Sequence, residues 1–197
     1  MTGRPGGRGA GTGQPRAGTV LMLPGRAYRC DMPLLAATTT ALQVDGWRVQ
    51  HAVWDPPSYD AVDPRAFVEE ALGRFDVDSA EPVVVVAKSL GTLAAHRAAE
   101  DRWPAVWLTP VLRAAGDRPL PARARDLRAL LLRYPAPNLV VGGTADPLWV
   151  PGFRGSGEVL EVPGADHSME TADVATTLRT HQFVATRVAD FARPLRA

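Results

Sequence analysis

The sequence contains one cysteine, Cys30, and only four histidines in 197 residues. A single cysteine excludes an internal disulfide and any multi-cysteine metal site, and it suits a reducing, cytoplasmic setting. Net charge is equally scarce. The 22 basic and 21 acidic residues leave +1, too little for the strong field of a nucleic-acid binder or a protein held on anionic lipid. No apolar run approaches the roughly 18 or more residues of a membrane span. The arginine-bearing start is not followed by the apolar stretch of a secretory signal. A phosphate-cradling loop is missing too, because Gly142-Gly143 leads into an acidic turn rather than Gly-Lys-Ser/Thr. Nothing in the chain calls for a cofactor or a metal, and nothing fixes the oligomeric state.

Hydrophobic residues make up 46% of the chain, enough for one globular domain of this length. Residues 1–18 stand apart, with seven glycines, three arginines, two prolines and no acid. Such a stretch buries too little surface to offset its ordering entropy and reads as a disordered, inert tail. Without its three arginines the body, residues 19–197, holds 19 basic against 21 acidic residues, or about −2.

Within that body, short apolar runs alternate with amphipathic segments. Strands are expected at 19–23, 47–54, 83–86, 105–108, 138–141 and 158–162. Helices are expected at 33–44, with Asp31 near its cap, and at 63–75, 90–101, 126–134 and 171–192, while residues 110–125 read as irregular. The run Val83-Val84-Val85-Val86 is β-branched and apolar on both faces, as befits the centre of a parallel sheet. The alternation predicts a doubly wound, mostly parallel α/β sheet of about six strands with helices on both faces.

The chemistry centres on Ala87-Lys88-Ser89-Leu90-Gly91, which follows the valine run and opens a helix. A serine there sits on a turn so sharp that the residues two before and two after it must be small. Ala87 and Gly91 meet that condition. The turn also aims the Leu90 N–H at a reacting carbonyl, aided by the positive end of the helix. Lys88 is expected to point into solvent or to pair with a carboxylate.

A serine nucleophile needs a base, and the base needs an orienting carboxylate. Of the histidines, His51 falls in a strand, and His96 and His181 fall in helices. His167 instead lies in Pro163-Gly164-Ala165-Asp166-His167-Ser168, a loop beyond the carboxyl end of the last strand, the edge where open parallel sheets bind ligands. The acid belongs at another strand end, between serine and histidine in chain order. Asp146, in Gly142-Gly143-Thr144-Ala145-Asp146-Pro147, occupies such a place. Asp166 is too near His167 in sequence to make that pair, and Asp117 is not at a strand end.

With these three residues in hand, the sequence resembles the α/β-hydrolase superfamily over about residues 18–192. The likeness rests on Ala87-Lys88-Ser89-Leu90-Gly91, Gly143-Thr144-Ala145-Asp146 and Gly164-Ala165-Asp166-His167. It implies a small, capless serine hydrolase in which Ser89, His167 and Asp146 form the triad. In that family the first strand is followed by an oxyanion loop, here matched by Leu23-Pro24-Gly25-Arg26-Ala27-Tyr28. By that similarity the Arg26 N–H is the second oxyanion donor. Two departures from the family pattern stand out: alanine replaces the first glycine of the nucleophile motif, and the oxyanion loop has no histidine.

The expected reaction is acyl transfer from a small ester, thioester or lactone through an acyl-enzyme on Ser89. Tyr28, Trp54, Pro110, Leu148 and Trp149, all near predicted strand ends, are candidates for the substrate wall, and residues 110–125 for a short lid. Cys30 is expected to be a small buried hydrophobe near the oxyanion loop. Two alternatives share the same residues: a non-catalytic binding protein on this fold, and an acyltransferase with an acceptor other than water.

Overall fold

The computed structural model describes residues 17–56, 63–113 and 121–196, and for 121–125 the backbone alone. The expected tail lies outside the described residues up to position 16. Ala17 and Gly18 pack against the domain, where Ala17 N–H donates to Gly46 O at 3.3 Å.

Six strands form one sheet: β1 (Thr19–Leu23), β2 (Arg48–His51), β3 (Val83–Lys88), β4 (Ala105–Leu108), β5 (Asn138–Gly143) and β6 (Glu158–Val162). Their order is β2-β1-β3-β4-β5-β6, and every neighbouring pair is parallel. Among the described residues five α-helices cover it: α1 (Pro33–Val44), α2 (Pro64–Leu72), α3 (Ala95–Glu100), α4 (Pro121–Leu131) and α5 (Val174–Ala192).

The valine run explains the centre. In β3 the side chains of Val84 and Val86 enter the core under α1 and α5, and those of Val83, Val85 and Ala87 enter the core under α2, α3 and α4. Both faces are covered, so both must be apolar. Leu34, Leu35 and Leu42 of α1 meet Val184, Val188 and Ala192 of α5 on the first side. On the second, Trp107 of β4 packs edge-on to Tyr134 at 5.5 Å, among Val68, Leu72, Leu127 and Leu131. The chain runs outward from β1 to β2, then crosses back to β3. This reversal opens a crevice at the carboxyl ends of β1 and β3, where doubly wound sheets place ligands.

The elements depart from the sequence expectation in several places, among them α2 ending at Leu72 rather than 75, α4 ending at Leu131 rather than 134, and α5 starting at Val174 rather than 171. Strand β2 ends at His51 rather than residue 54. It is an edge strand with β1 as its one partner, and beyond it the chain turns so that Trp54 Nε1–H donates to Gly25 O at 3.2 Å. Helix α4 begins at Pro121, inside the stretch read as irregular. Proline is well suited to a first helical turn, and arginine and alanine are strong helix formers; residues 114–120 lie outside the described residues. The helix after Ser89 opens as a 3₁₀ segment, Ser89–Ala94, before α3. Asp31 does not cap α1. It pairs with Arg29 at 2.9 Å, and the Tyr28 hydroxyl accepts from Leu34 N–H at 3.0 Å instead. Asp63 and Asp173 do cap α2 and α5. Among the described residues no helix is long and apolar enough to cross a membrane.

Leu35 is fully buried between α1 and the sheet. Leu35→Ala is expected to lower unfolding free energy by about 2–5 kcal/mol, read by urea denaturation; a loss below about 1 kcal/mol would contradict this packing.

Candidate active site

Ser89 stands at the end of β3 with φ +50°, a left-handed conformation that costs energy for any residue with a Cβ. The turn is held tightly against the loop after β1. Gly91 N–H donates to Pro24 O at 3.2 Å, and a Cβ on Gly91 would stand 2.7 Å from Leu23 O and 2.8 Å from Pro24 O. Only glycine fits there, which is the steric rule that singled out the motif. Ala87, the small residue on the other side, is fully buried.

The loops after β5 and β6 are joined to each other before either meets the serine. Thr144 N–H donates to Val162 O at 3.0 Å, and Ala145 N–H to Ala165 O at 3.0 Å. Gly164 N–H donates to Thr144 Oγ1 at 2.7 Å. The backbones come so close that a Cβ on Gly143 would lie 2.0 Å from Ala165 O. Asp166 shapes the second loop from within, its Oδ1 accepting Ser168 N–H at 2.8 Å and Glu170 N–H at 2.9 Å.

This framework brings Asp146 and His167 together. His167 Nδ1 lies 2.8 Å from Asp146 Oδ2, and His167 Nε2 lies 2.7 Å from Ser89 Oγ. Asp146 is 2% exposed, and its other oxygen accepts Leu148 N–H at 2.8 Å. A buried carboxylate accepts, so Nδ1 carries the ring hydrogen and Nε2 is left to accept from the serine hydroxyl. The three residues singled out in sequence as nucleophile, base and acid are thus one hydrogen-bonded chain.

Of the two expected oxyanion donors, Leu90 follows Ser89 directly in the chain and Arg26 lies on the loop after β1. Leu90 N–H belongs to the first helical turn, where N–H groups have no acceptor within the helix. Arg26 follows Gly25, whose Cβ position lies 3.4 Å from Ser89 Cβ. Arg26 also lines a cavity of about 220 Å³, with Pro24, Gly25, Cys30, Ala52 and Trp54 among others, to which neither Leu90 nor the serine–histidine–aspartate chain contributes.

The candidates for the substrate wall separate on burial. Trp54 lines that cavity and stacks tilted on Phe67 at 5.6 Å. Leu148 is half-buried beside the acid loop, and Pro110 is buried at the end of β4. Trp149 is fully buried, filling the space that a side chain at Gly142 would take, with Nε1–H donating to Glu161 at 2.6 Å. It is a packing residue rather than a pocket wall. Tyr28 is 7% exposed and is occupied in holding α1 and covering Lys88.

Lys88 is the residue that sequence reasoning misplaced. It is 1% exposed, and it meets neither solvent nor a carboxylate. Its Nζ donates to the His167 carbonyl at 2.6 Å and to Thr109 Oγ1 at 3.0 Å, and it lies 4.5 Å from the Tyr28 ring centre. Burial pushes its ammonium down to about 8, partly offset by Asp146, Asp166 and Glu170. The available signal was the pleat: Val84, Val86 and Lys88 share one face of β3, so the lysine follows two buried valines. The Cys30 thiol is buried as expected, and burial raises it to about 12, so it is no nucleophile at neutral pH. Among the described residues no cluster of His, Cys, Asp or Glu could hold a metal ion.

No family model matches the chain, and no curated protein matches it by sequence. Solved structures do match in shape. Est1E from Butyrivibrio proteoclasticus, with ferulic acid bound, superposes with a TM-score of 0.64 at 13% identity, over 91% of this chain and 90% of that one. Alpha/beta hydrolase domain-containing protein 10 from mouse gives 0.61 at 13%, over 90% of each chain. The monoacylglycerol lipase of Paleococcus ferrophilus gives 0.59 at 17%, over 91% of this chain and 96% of that one. These identities are low, and what they share with this chain is the fold: it is the α/β-hydrolase fold, with a six-stranded all-parallel sheet.

Gly143→Ala forces the acid and histidine loops apart. It is expected to lower stability by about 1–3 kcal/mol and to lengthen the His167–Asp146 contact. Thermal unfolding and a crystal structure of the variant check this; an unchanged midpoint with unchanged loops would contradict it.

Proposed function

We propose that this chain is a serine hydrolase acting on small carboxylic esters or chemically similar thioesters and lactones, with Ser89 as nucleophile, His167 as general base and acid, and Asp146 as the group that orients the imidazole. The observation that carries this reading is the imidazole bridge, 2.7 Å to the serine oxygen and 2.8 Å to the buried carboxylate. The fold neighbours agree with it, since they include a lipase and a structure with a small aromatic acid bound.

In the first step His167 Nε2 takes the hydroxyl hydrogen as Ser89 Oγ attacks the carbonyl carbon. The imidazolium that forms is stabilised by Asp146, which is held in place by Leu148 N–H. Negative charge gathers on the former carbonyl oxygen, and the Leu90 and Arg26 main-chain N–H groups are the donors for it. Losing one such donor costs about 2.7–4 kcal/mol of transition-state stabilisation. His167 then gives its proton to the leaving alcohol, which departs and leaves an acyl group on Ser89. A water molecule, deprotonated by the same Nε2, releases the acid and restores the serine.

Among the described residues the elements follow one another with no inserted cap domain, which favours short acyl or alcohol groups.

A fluorophosphonate probe is expected to label the wild-type chain, and Ser89→Ala to abolish both labelling and p-nitrophenyl acetate turnover. Asp146→Asn is expected to lower kcat on the order of 10⁴-fold, because the wrong imidazole tautomer then faces the serine. Equal labelling of wild type and Ser89→Ala would overturn the assignment. Turnover of p-nitrophenyl palmitate faster than acetate or butyrate would overturn the small-substrate reading.

A further inference from the structure

We propose that Lys88 is a positioning residue for the reaction, its ammonium gripping the main-chain carbonyl of His167 and so holding the imidazole in line with Ser89. The catalytic half of this inference rests on the hydrolase reading; the grip itself does not.

Lys88 immediately precedes the serine, and the β3 pleat turns its side chain under α1 and α5, toward the loop that carries His167. An ammonium has three donors. Here one meets His167 O at 2.6 Å, one meets Thr109 Oγ1 at 3.0 Å, and the charge faces the Tyr28 ring at 4.5 Å. The side chain therefore ties together the ends of β3, β4 and β6, and it joins Ser89 to His167 from behind while the Oγ···Nε2 bond joins them in front. Buried charge without a carboxylate in contact is costly. Among the described residues no carboxylate pairs with Lys88, and Asp146, Asp166 and Glu170 act on it from farther off. An apolar side chain would fill the same space at less cost. What it would not supply is a donor for the carbonyl of the one histidine that touches the serine.

Backbone strain points to the same place. Four non-glycine described residues have positive φ, and three surround this cluster: Ser89 at +50°, Thr109 at +43° and Met169 at +63°. Such conformations persist where surrounding contacts enforce them, and Lys88 bonds Thr109 directly and His167 two residues before Met169.

The grip is strongest with the protonated amine: the neutral form keeps two N–H donors for the two acceptors but loses the charge that strengthens both bonds. The groups facing Lys88 are Tyr28 from the loop after β1, Asp146 after β5, Asp166, His167 and Glu170 after β6, and His181 on α5. The three carboxylates favour the ammonium, while burial, the largest influence, opposes it. Burial also raises the Tyr28 phenol above its usual value, so it stays neutral in this range. Lys88 thus loses its proton from about pH 8 upward. Because its native value lies below the unfolded one, deprotonation relieves a penalty. Its contribution to stability rises with pH between about 8 and the ordinary lysine value of 10.5, while the grip weakens. The Lys88 contribution to stability and the turnover therefore move in opposite directions across that window, a pattern that a purely structural lysine does not produce.

The test compares wild type, Lys88→Met and Lys88→Gln for kcat and KM on p-nitrophenyl acetate from pH 6 to 10. Amide hydrogen exchange of residues 164–169 is followed at one fixed pH. Lys88→Met is expected to lower kcat on the order of 10- to 100-fold with KM little changed. The same variant is expected to remove the alkaline fall that the lowered Lys88 value predicts for wild type above about pH 8 and to speed exchange in the loop. Lys88→Gln, a neutral donor, recovers part of kcat with no alkaline fall. Wild-type kcat, an unaltered alkaline limb and unaltered exchange in Lys88→Met would overturn the proposal. If wild type shows no Ser89-dependent turnover, the hydrolase reading falls by itself. The grip is then decided by exchange alone, with faster loop exchange in Lys88→Met supporting it and equal exchange overturning it.

Discussion

Asp146 and His167 can meet only because the backbones of two loops touch. The end of β5 and the loop after β6 approach until Gly143 leaves no room for a side chain before Ala165 O. Three hydrogen bonds, through Thr144, Ala145 and Gly164, hold them there. The proposed chemistry depends on that junction. The carboxylate is already buried and half satisfied by Leu148 N–H, so it has one oxygen to offer, and the imidazole arrives at a distance of 2.8 Å from it. The ring is then fixed in tautomer and direction, and its other nitrogen faces the serine. For the proposed reaction, a site assembled on strand ends in this way needs little rearrangement, which is the condition for strong electrostatic stabilisation of a transition state.

The sheet explains why the junction lies where it does. Parallel strands send their carboxyl ends to one edge, so residues 89, 146 and 167 reach a common rim although they are far apart in the chain. The reversal between β1 and β3 opens space at that rim and places Gly25 and Arg26 opposite the serine. The two cores then serve separate ends. The α1–α5 side fixes the histidine loop, which leads into α5, and Tyr28, which holds α1. The α2–α4 side fixes the helix behind Ser89. Lys88 is the point where the first of these cores touches the serine–histidine–aspartate chain.

Much of this was legible in the residues. A continuous valine run identifies a strand covered on both faces, and a serine between Ala87 and Gly91 right after it has only one kind of turn to occupy. Asp146 and His167 followed from strand-end position and chain order. What stayed hidden has physical causes. The small-residue rule constrains the neighbours two positions from Ser89 but says nothing of the residue between, so Lys88 was read by its charge rather than by the pleat that buries it. The early start of α4 was masked because Pro121-Ala122-Arg123-Ala124-Arg125 lacks apolar periodicity although it is rich in helix formers. Trp149 sits near a strand end in sequence, yet the bare Cα of Gly142 draws its ring inward, a long-range fit that local pattern does not carry. The positive φ at Thr109 and Met169 is equally invisible, since neither is glycine or asparagine.

The central claim is that the Ser89 oxygen becomes covalently acylated with the help of the imidazole beside it. The most direct measurement is intact-mass and peptide mass spectrometry of the chain quenched in acid during turnover of a slowly deacylating ester. The account predicts one added acyl mass, found on the peptide that carries Ser89 and missing when His167 is replaced by alanine. Turnover with no covalent adduct, or an adduct on any other side chain, would contradict it.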